Sequence, residues 1–317
     1  MSPRITVVGS LNMDLVIRSP HIPQPGETIL GSDFQTVPGG KGANQAVAAA
    51  RLGAEVSMVG RLGNDAFADV LFNNLAASGV ETAFITRDDQ AATGVALIVV
   101  DDQGENSIVV ASGANMQLSE AEVNAVENLI AGSDVLVLQL EVPLPAVIRS
   151  AQIANAHGVP VILNPAPACE LPKELFPLVD VLVPNETEAA LLSGQVAESA
   201  EELKQAAHNL LGRGVGAVVV TLGNKGALLT NQGDAGREFP AFKIDPVDTT
   251  AAGDAFVAGL AVHLGAGNPL PDAIRWANAA GALAAMRFGA QTSAPSRDEV
   301  EQLFSGVNAD KIIGKEL

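Results

Sequence analysis

The chain has 317 residues, which suits one large domain or two ordinary ones. Hydrophobic residues make up 48% of it, so the chain can bury a full core and is not disordered. With 36 acidic and 18 basic residues the formal net charge is −18, and such a surface repels nucleic acid and anionic lipid. No apolar run reaches the length of a membrane span, and the one cysteine, Cys169, suits a reducing compartment. We therefore expect a cytoplasmic protein without nucleic-acid or membrane partners.

Apolar strands alternate with amphipathic helices along most of the chain, which predicts a mostly parallel sheet covered by helices on both faces. The predicted strands are residues 5–9, 56–59, 135–140, 159–163, 179–183, 217–222 and 227–230. The predicted helices are residues 42–52, 65–77, 146–156, 186–192, 200–211, 253–264, 271–287 and 297–304.

Two segments interrupt this alternation. Residues 15–37 contain Pro20, Pro23 and Pro25 and show no helical period. Residues 93–110 read as two strands, 94–100 and 106–110, joined by a turn at 101–104. Neither segment has a core of its own, so we expect the two to pair into a small sheet that serves as a lid or a subunit contact.

The motif GGKGAN occupies residues 39–44, directly before a predicted helix. Glycines there let the backbone approach a ligand, the helix N-terminus favours anionic groups, and Lys41 and Asn44 add directed donors. A tight strand-to-helix turn explains the same glycines equally well. The motif is neither the G-x-x-x-x-G-K-[ST] loop nor the dinucleotide G-x-G-x-x-G fingerprint.

The motif DTTAAGDAF occupies residues 248–256 and leads into another predicted helix. The backbone N–H groups of Ala251, Ala252 and Gly253 can converge there as an anion hole. A carboxylate beside such a hole, here Asp254, can take a proton from a hydroxyl that attacks a phosphoryl group. The alternative is an aspartate that only complements the helix dipole.

Two further motifs admit two interpretations each. In PNETE, residues 184–188, Asn185 can cap the following helix, and Glu188 can face the same cleft and hold a Mg²⁺-bound water. TLGNKGA, residues 221–227, is explained by a hairpin, or it is a nucleotide loop in which Lys225 contributes its charge.

The segment GSLNMD, residues 9–14, follows the first predicted strand, at the sheet edge where ligands bind in open α/β sheets. Asn12 and Asp14 share one face of an extended chain and suit a polyol, although a solvated loop is the simpler interpretation. Glu141, just after another strand, lies at the same predicted edge.

The segments GGKGANQAVAAARLG and DTTAAGDAFVAGL resemble the two signatures of the ribokinase-like (PfkB) carbohydrate kinases. The resemblance extends along nearly the whole chain through GSLNMD, NPAPA at 164–168, PNETE, TLGNKGA and GAQTSAP at 289–295. It implies one catalytic domain over residues 1–317, folded as a three-layer α/β/α sandwich with a small β-sheet lid. The lid comes from insertions at about 14–40 and 93–112, and members often dimerise through their lids.

The resemblance also implies a function, MgATP-dependent phosphorylation of the ribose 5-hydroxyl. Asp254 is then the base, and Ala251, Ala252 and Gly253 form the anion hole. The implied sugar-binding residues are Asn12, Asp14, Gly40, Lys41, Gly42, Asn44, Glu141 and Asp254. The implied ATP-binding residues are Asn185, Thr221, Gly223, Lys225, Gly226, Gly253 and Asn278. The implied ligands of an activating K⁺ are Asp248, Thr250, Ala284, Arg287, Gly289 and Ser293.

Rival functions remain open at this point. Kinases for deoxyribose, a ketose or a nucleoside share the fold, as does a non-catalytic sugar-binding protein, and strand–helix alternation alone permits a dinucleotide oxidoreductase. The amide of Asn12 suits a sugar 2-hydroxyl, which favours ribose over deoxyribose. With 3% aromatic residues, the chain offers few rings to stack against a nucleoside base.

Overall fold

The structure, a computed structural model, describes residues 2–233 and 236–306, so the ends of the predicted domain over residues 1–317 lie outside the described residues. The strands are β1 (Arg4–Val8), β2 (Asn12–Arg18), β3 (Ser32–Gly39), β4 (Glu55–Gly63), β5 (Val80–Glu81), β6 (Ile85–Asp88), β7 (Gly94–Val100), β8 (Asn106–Ala111), β9 (Val135–Leu138), β10 (Val161–Leu163), β11 (Val181–Leu182), β12 (Ala217–Thr221), β13 (Ala227–Asn231) and β14 (Arg237–Phe239). The α-helices are α1 (Lys41–Arg51), α2 (Ala66–Ala77), α3 (Glu120–Ala125), α4 (Glu127–Ala131), α5 (Leu144–Ala156), α6 (Glu186–Ser193), α7 (Ala200–Leu211), α8 (Ala252–Gly265), α9 (Leu270–Ala285) and α10 (Arg297–Ser305).

The large sheet has the strand order β14-β13-β12-β11-β10-β9-β1-β4-β5, with β6 beside β4. All its pairs are parallel except β12–β13 and β13–β14, which form an antiparallel end. Ile5 and Val7 of β1 point into one hydrophobic cluster and Val8 into another. Helices α1, α8 and α9 pack in the first cluster and α5 and α7 in the second. The predicted three-layer sandwich with a mostly parallel sheet is confirmed.

The small sheet has the order β3-β2-β7-β8. Strand β2 pairs antiparallel with β3 and parallel with β7, so the two insertions join each other as predicted. One side of this sheet is open, and Phe34, Leu97 and Val109 are 62%, 53% and 64% exposed.

Sequence patterns missed several short elements, namely α3, α4, β5, β6 and β14. Helix α3 has a clear local signal, because Ser119 and Glu122 form a capping box at its start. The two-residue strand β5 and the three-residue strand β14 are too short to show a period. Within the described residues, no helix is long and apolar enough to cross a membrane.

The fold brings the sequence motifs to one edge of the large sheet. The segment before Asn12 follows β1, Glu141 lies beyond the end of β9, and Asn185 follows β11. Because these strands are parallel, their carboxyl ends meet at the same edge, which is where open α/β sheets bind ligands.

Candidate active site

A cavity of about 240 Å³ opens at this edge of the large sheet. Its walls hold residues from four of the motifs, including Lys41, Asn185, Glu188, Thr221, Gly253 and Asp254. A larger groove of about 690 Å³ lies near Arg4 and Glu55, at the amino ends of β1 and β4. Its lining contains no motif residue, so the smaller cavity is the candidate site.

Asp254 lies in the first turn of α8 and is only 7% exposed. Asn44 Nδ2 donates to one carboxylate oxygen at 3.0 Å, and Gln45 Nε2 donates to the other at 2.9 Å. Both donors come from α1, so the first motif holds the carboxylate of the second. Each oxygen keeps a further lone pair with which to accept a proton.

Gln45 was not singled out from the sequence. Its Nε2 also donates to Asn164 Oδ1 at 3.2 Å, and its Oε1 accepts from Gln139 Nε2 at 2.5 Å. Gln45 and Gln139 are 1% and 0% exposed. This buried chain of amides fixes Asp254 at the cavity, and the only sequence signal for it is the position of Gln45 directly after the first motif.

The N-terminus of α8 faces the cavity. Ala251 precedes the helix with φ 57°, a left-handed conformation rare outside glycine, and both Ala251 and Gly253 line the cavity. A Cβ atom placed on Gly253 would meet nothing within 4 Å, so a ligand can approach its backbone. The Ala252 N–H already donates to the Thr249 carbonyl at 3.2 Å, which leaves Ala251 and Gly253 as the more available members of the predicted anion hole.

The charged residues around Lys41 perturb one another. Burial raises the pKa of Asp14 to about 7, helped by the nearby carboxylates of Glu141 and Asp254 and opposed by Lys41. Burial acts to lower the pKa of Lys41, but the carboxylates, with Asp254 and Glu141 first, outweigh it and raise that pKa. The structure therefore gathers Asp14, Lys41, Glu141 and Asp254 in one electrostatic neighbourhood.

The turn before α1 is closely packed against β2. Gly40 caps α1 with φ 89°, and a Cβ there would lie 2.7 Å from the Asn12 nitrogen. A Cβ on Gly42 would lie 2.6 Å from the Ser10 nitrogen. Glu141 Oε2 accepts from the Ser10 hydroxyl and from the Lys41 N–H, which ties the turn to the end of β9. The glycines are therefore required by packing, whatever they bind. Asn12, Asp14, Lys41, Asn44 and Glu141 are called the α1 wall below; of these, Lys41 lines the cavity of about 240 Å³.

A second group of predicted binding residues is built from loops. Asn185 Oδ1 accepts from the Glu188 N–H and Glu188 Oε2 accepts from the Asn185 N–H, both at 2.8 Å, so the predicted cap is confirmed as a capping box. Burial raises the pKa of Glu188, although the Asn185 N–H and Lys41 oppose it. The predicted hairpin joins β12 and β13, and the side chain of Lys225 in its turn is 73% exposed. Asn185, Thr221 and Lys225 are called the β12 wall below.

The other predicted nucleotide residues lie around the same hairpin. Gly223 opens its turn with φ 54°, and Gly226 closes it with φ 105°. A Cβ on Gly226 would lie 2.0 Å from the Phe239 carbonyl oxygen, so only glycine fits there. Asn278 of α9 is 7% exposed and its Nδ2 donates to the carbonyls of Phe239 and Pro240 at 3.2 and 3.3 Å. That amide nitrogen therefore already has partners, and its oxygen is the better candidate for a ligand contact.

Two of the predicted cation ligands, Thr250 and Gly289, contact Asp248. Its Oδ1 accepts from the Thr250 N–H at 2.9 Å and its Oδ2 from the Gly289 N–H at 3.0 Å. Burial acts to raise the pKa of Asp248, but these hydrogen bonds outweigh it and hold the pKa below its ordinary value. The Asp248 and Val247 N–H groups both donate to the Ala285 carbonyl, which docks the loop on the end of α9.

The remaining three cation candidates lie beside this loop. The Ala284 carbonyl accepts from the Arg287 N–H at 3.1 Å, and the guanidinium of Arg287 pairs with Glu299, which leaves the backbone carbonyl of Arg287 as its candidate ligand atom. Ser293 is fully buried and donates its hydroxyl to the Ala290 carbonyl at 2.8 Å, which leaves its lone pairs free. All the candidate ligand atoms are therefore hard oxygen atoms, which suit a monovalent cation such as K⁺.

Comparison with known proteins shows the family of the chain. The model of the pfkB family carbohydrate kinases matches residues 2–297. The chain belongs to this family. It is 44% identical to the ribokinase of Haemophilus influenzae over 94% of this chain and 97% of that protein. It is 36% identical to a deoxyribokinase of Salmonella typhi over 95% of this chain and 98% of that protein.

A solved relative shares the architecture of this carbohydrate kinase. The structure of Arabidopsis thaliana ribokinase complexed with ribose and ATP superposes with a TM-score of 0.89 at 35% identity. It covers 96% of this chain and 99% of that chain, so the match includes both sheets.

Proposed function

We propose that the chain transfers the γ-phosphoryl group of MgATP to the 5-hydroxyl of D-ribose, giving ribose 5-phosphate and ADP. The observation that carries the proposal is Asp254, a buried carboxylate held by two amides beside an open helix N-terminus. The similarity to ribokinases over nearly the full chain supports ribose as the substrate.

In this mechanism Asp254 takes the proton of the 5-hydroxyl as its oxygen attacks the γ-phosphorus. The bond from that phosphorus to the bridging oxygen breaks, and ADP leaves. The N–H groups of Ala251 and Gly253 donate to the phosphoryl oxygens that gain charge. The Ala252 N–H joins them if its hydrogen bond to the Thr249 carbonyl breaks. Lys41, which lines the same cavity, adds a positive charge.

The residues present fit a magnesium ion held through water. Within the described ranges no three His, Cys, Asp or Glu side chains converge as a metal site, which suits an ion that arrives with the nucleotide. Glu188 lines the cavity, and one of its carboxylate oxygens accepts from the Asn185 N–H. Its other oxygen is therefore available to a metal-bound water. Mg²⁺ bound with ATP neutralises phosphate charge.

The sugar is bound by the α1 wall together with Gly40 and Gly42. Asp14 and Glu141 accept hydrogen bonds from its hydroxyls, and Asn12 and Lys41 donate. Asn44 Oδ1 is buried without a partner among the described residues, so a sugar hydroxyl would donate to it once bound. ATP lies along the β12 wall with Gly223, Gly226, Gly253 and Asn278.

A potassium ion between the Asp248 loop and the end of α9 completes the site as we propose it. The oxygens of Asp248, Thr250, Ala284, Arg287, Gly289 and Ser293 are its ligands. It touches neither substrate, and its role is to fix the loop so that the helix N–H groups point at the phosphoryl group.

The open side of the small sheet supports a homodimer. Phe34, Leu97 and Val109 form an exposed apolar surface, and such surfaces mark interaction sites. We place the enzyme in the cytoplasm, where ribose and ATP meet.

Phosphorylation of 2-deoxyribose is the second candidate, since a deoxyribokinase is 36% identical to the chain. Asn12 favours ribose, because a buried amide without the 2-hydroxyl loses a hydrogen bond worth roughly 1–3 kcal/mol.

The test is ADP release from ATP across ribose, 2-deoxyribose, ketoses and nucleosides, with and without K⁺. We expect ribose to give the largest kcat/KM, and Asn12→Met to narrow its lead over 2-deoxyribose mainly by lowering turnover of ribose. Equal kcat/KM for ribose and 2-deoxyribose in the unmutated protein would refute ribose as the preferred substrate.

A further inference from the structure

Asn115 was not singled out from the sequence, yet it contacts a residue of the α1 wall. It lies in the 3₁₀ helix Gly113–Gln117, directly after the small sheet, and is 1% exposed. Its Oδ1 accepts from the Leu11 N–H at 2.9 Å and its Nδ2 donates to the Leu11 carbonyl at 3.1 Å. The same Nδ2 donates to Asn12 Oδ1 at 2.7 Å.

These contacts fix the orientation of two amides. A backbone N–H can only donate and a carbonyl can only accept, so Leu11 determines which end of the Asn115 amide is oxygen and which is nitrogen. The nitrogen of Asn115 then faces Asn12, which must present its oxygen. The Asn12 nitrogen is directed away, and it has no hydrogen-bond partner among the residues that the structure describes.

The packing around this contact leaves little room for another arrangement. Gly94 of β7 pairs with Asn12 of β2 in the small sheet. A Cβ atom on Gly94 would lie 2.2 Å from Asn12 Oδ1 and 2.4 Å from Asn115 Nδ2. The backbone of β7 therefore packs directly over the hydrogen bond between the two amides and leaves no space for either side chain to move toward β7.

We propose that Asn115 is a positioning residue that presents the Asn12 amide as a hydrogen-bond donor to the 2-hydroxyl of the sugar. The proposal rests on the proposed function, because it assumes that Asn12 and Asp14 meet the sugar. Both lie on one face of β2. A hydroxyl has one proton, and once it donates that proton to the Asp14 carboxylate its oxygen can only accept from a second partner.

The direction of the Asn12 amide therefore decides the sugar preference. With its nitrogen toward the sugar, Asn12 complements the accepting hydroxyl oxygen. If the Asn12 amide were turned over, its oxygen would face the accepting hydroxyl oxygen. The 2-hydroxyl would then weaken the binding of the sugar. The Leu11 backbone, acting through Asn115, thus makes the 2-hydroxyl favourable.

The experiment replaces Asn115 with a side chain of the same shape. In Asn115→Asp a carboxylate oxygen faces both the Leu11 carbonyl and Asn12, so the Asn12 amide must turn its nitrogen toward residue 115. We expect kcat/KM for ribose to fall about 10- to 100-fold through the KM for ribose. The KM for ATP and kcat/KM for 2-deoxyribose should change less than about 2-fold, since 2-deoxyribose lacks the affected hydroxyl.

Asn268→Asp is the matched control. Asn268 Nδ2 also donates to a backbone carbonyl, that of His263 at 3.0 Å, at the far end of α8. The substitution makes the same chemical change away from the cavity, so the ratio of kcat/KM for ribose to that for 2-deoxyribose should stay at the unmutated value. Because both sugars are measured on one preparation, partial loss of folded protein cancels in this ratio.

A double-mutant cycle separates positioning from general damage. In an Asn12→Ala background, Asn115→Asp should no longer change the ratio between the two sugars. If Asn115→Asp does not fold, Asn115→Ala takes its place, with a smaller expected loss of preference of about 2- to 5-fold. Equal losses on both sugars, or a ratio that still changes in the Asn12→Ala background, would overturn the role of Asn115. An unmutated protein without preference for ribose would instead overturn the proposed function.

Discussion

The two groups of proposed binding residues are built differently. The α1 wall consists of buried side chains that hold one another: Asn12 and Asn44 are 3% and 8% exposed, and Asn44 donates to the equally buried Asp254. The β12 wall consists of a helix cap and a hairpin turn, where the Lys225 side chain is 73% exposed and lies 3.8 Å from Glu186. Fixed buried groups discriminate strongly between ligands, because a wrong partner leaves them unsatisfied. Exposed loops bind with less discrimination, so a single change should matter much more in the α1 wall and at Asp254.

The largest effect is expected where α1 meets α8. Asp254→Asn should lower kcat about 10²–10⁴-fold, since the amide cannot take the proton of the attacking hydroxyl. One of its two donors, Asn44 or Gln45, must also turn away, because the new NH₂ group would face an N–H group. Steady-state kinetics measures the loss, and calorimetric titration of ribose should show affinity within a few fold.

Asp272→Asn is the control for Asp254→Asn. Asp272 is an exposed aspartate in the first turn of α9, where it complements the helix dipole. Its replacement should leave kcat within about 2-fold. A near-normal kcat in Asp254→Asn would mean that another group takes the proton.

The next effect concerns the ionisation of Asp14, which should change the affinity for ribose and the stability of the protein in opposite directions. With the Asp14 pKa near 7, the KM for ribose should fall as the pH rises from 6 to 8, because the ionised carboxylate accepts the sugar hydroxyls. The folded-state pKa exceeds the unfolded value of 3.8, so the contribution of Asp14 to stability falls as the pH rises from about 4 to about 7.

Asp14→Asn removes that ionisation. It should raise the ribose KM about 10- to 100-fold while raising the melting temperature at pH 8 by about 2–4 °C, which corresponds to roughly 1 kcal/mol. Thermal unfolding without sugar at pH 5 and pH 8 checks the sign, with a larger gain in melting temperature expected at pH 8 than at pH 5. A variant less stable than the unmutated protein at pH 8 would show that the Asp14 carboxylate stabilises the empty site.

The loop behind the anion hole should give an intermediate effect. Asp248→Ala removes the acceptor of the Thr250 and Gly289 N–H groups and should abolish most of a K⁺ activation of about 10-fold. Activity is measured in a Tris or choline buffer with K⁺ titrated back, and Na⁺ should activate less well. Asp245→Ala, an exposed aspartate in the same loop, should keep the full response. A flat K⁺ titration of the unmutated protein would contradict the cation site.

The smallest effect is expected in the β12 wall. Lys225→Met should raise the KM for ATP about 2- to 5-fold without changing the KM for ribose, since an exposed charge is screened by water. Lys243→Met, an exposed lysine outside the cavity lining, should change neither constant. If the KM for ATP rose by more than about 30-fold in Lys225→Met, the contrast between the two walls would be removed.

The sequence alone determined the layers of this protein and predicted most residues of its candidate site. Periodicity identified the main helices and strands within a few residues. Apolar residues recur every two positions in a strand and every three to four in a helix, so the signal is local in the sequence. Glycines before α1, small residues before α8 and the cap at Asn185 are equally local signals, so the motifs could be found and placed at helix starts.

Only the tertiary structure decided what holds those motifs together. The partners Gln45 and Asp254 are 209 positions apart and Asn115 and Asn12 are 103 apart, and no local pattern couples such distant residues. The pKa of Asp14 depends on burial and on Glu141 and Asp254, which come from two other elements. A chain shows which polar groups it carries, but their orientation and ionisation follow from which neighbours share their burial, and that is set only when the sheet and helices close around them.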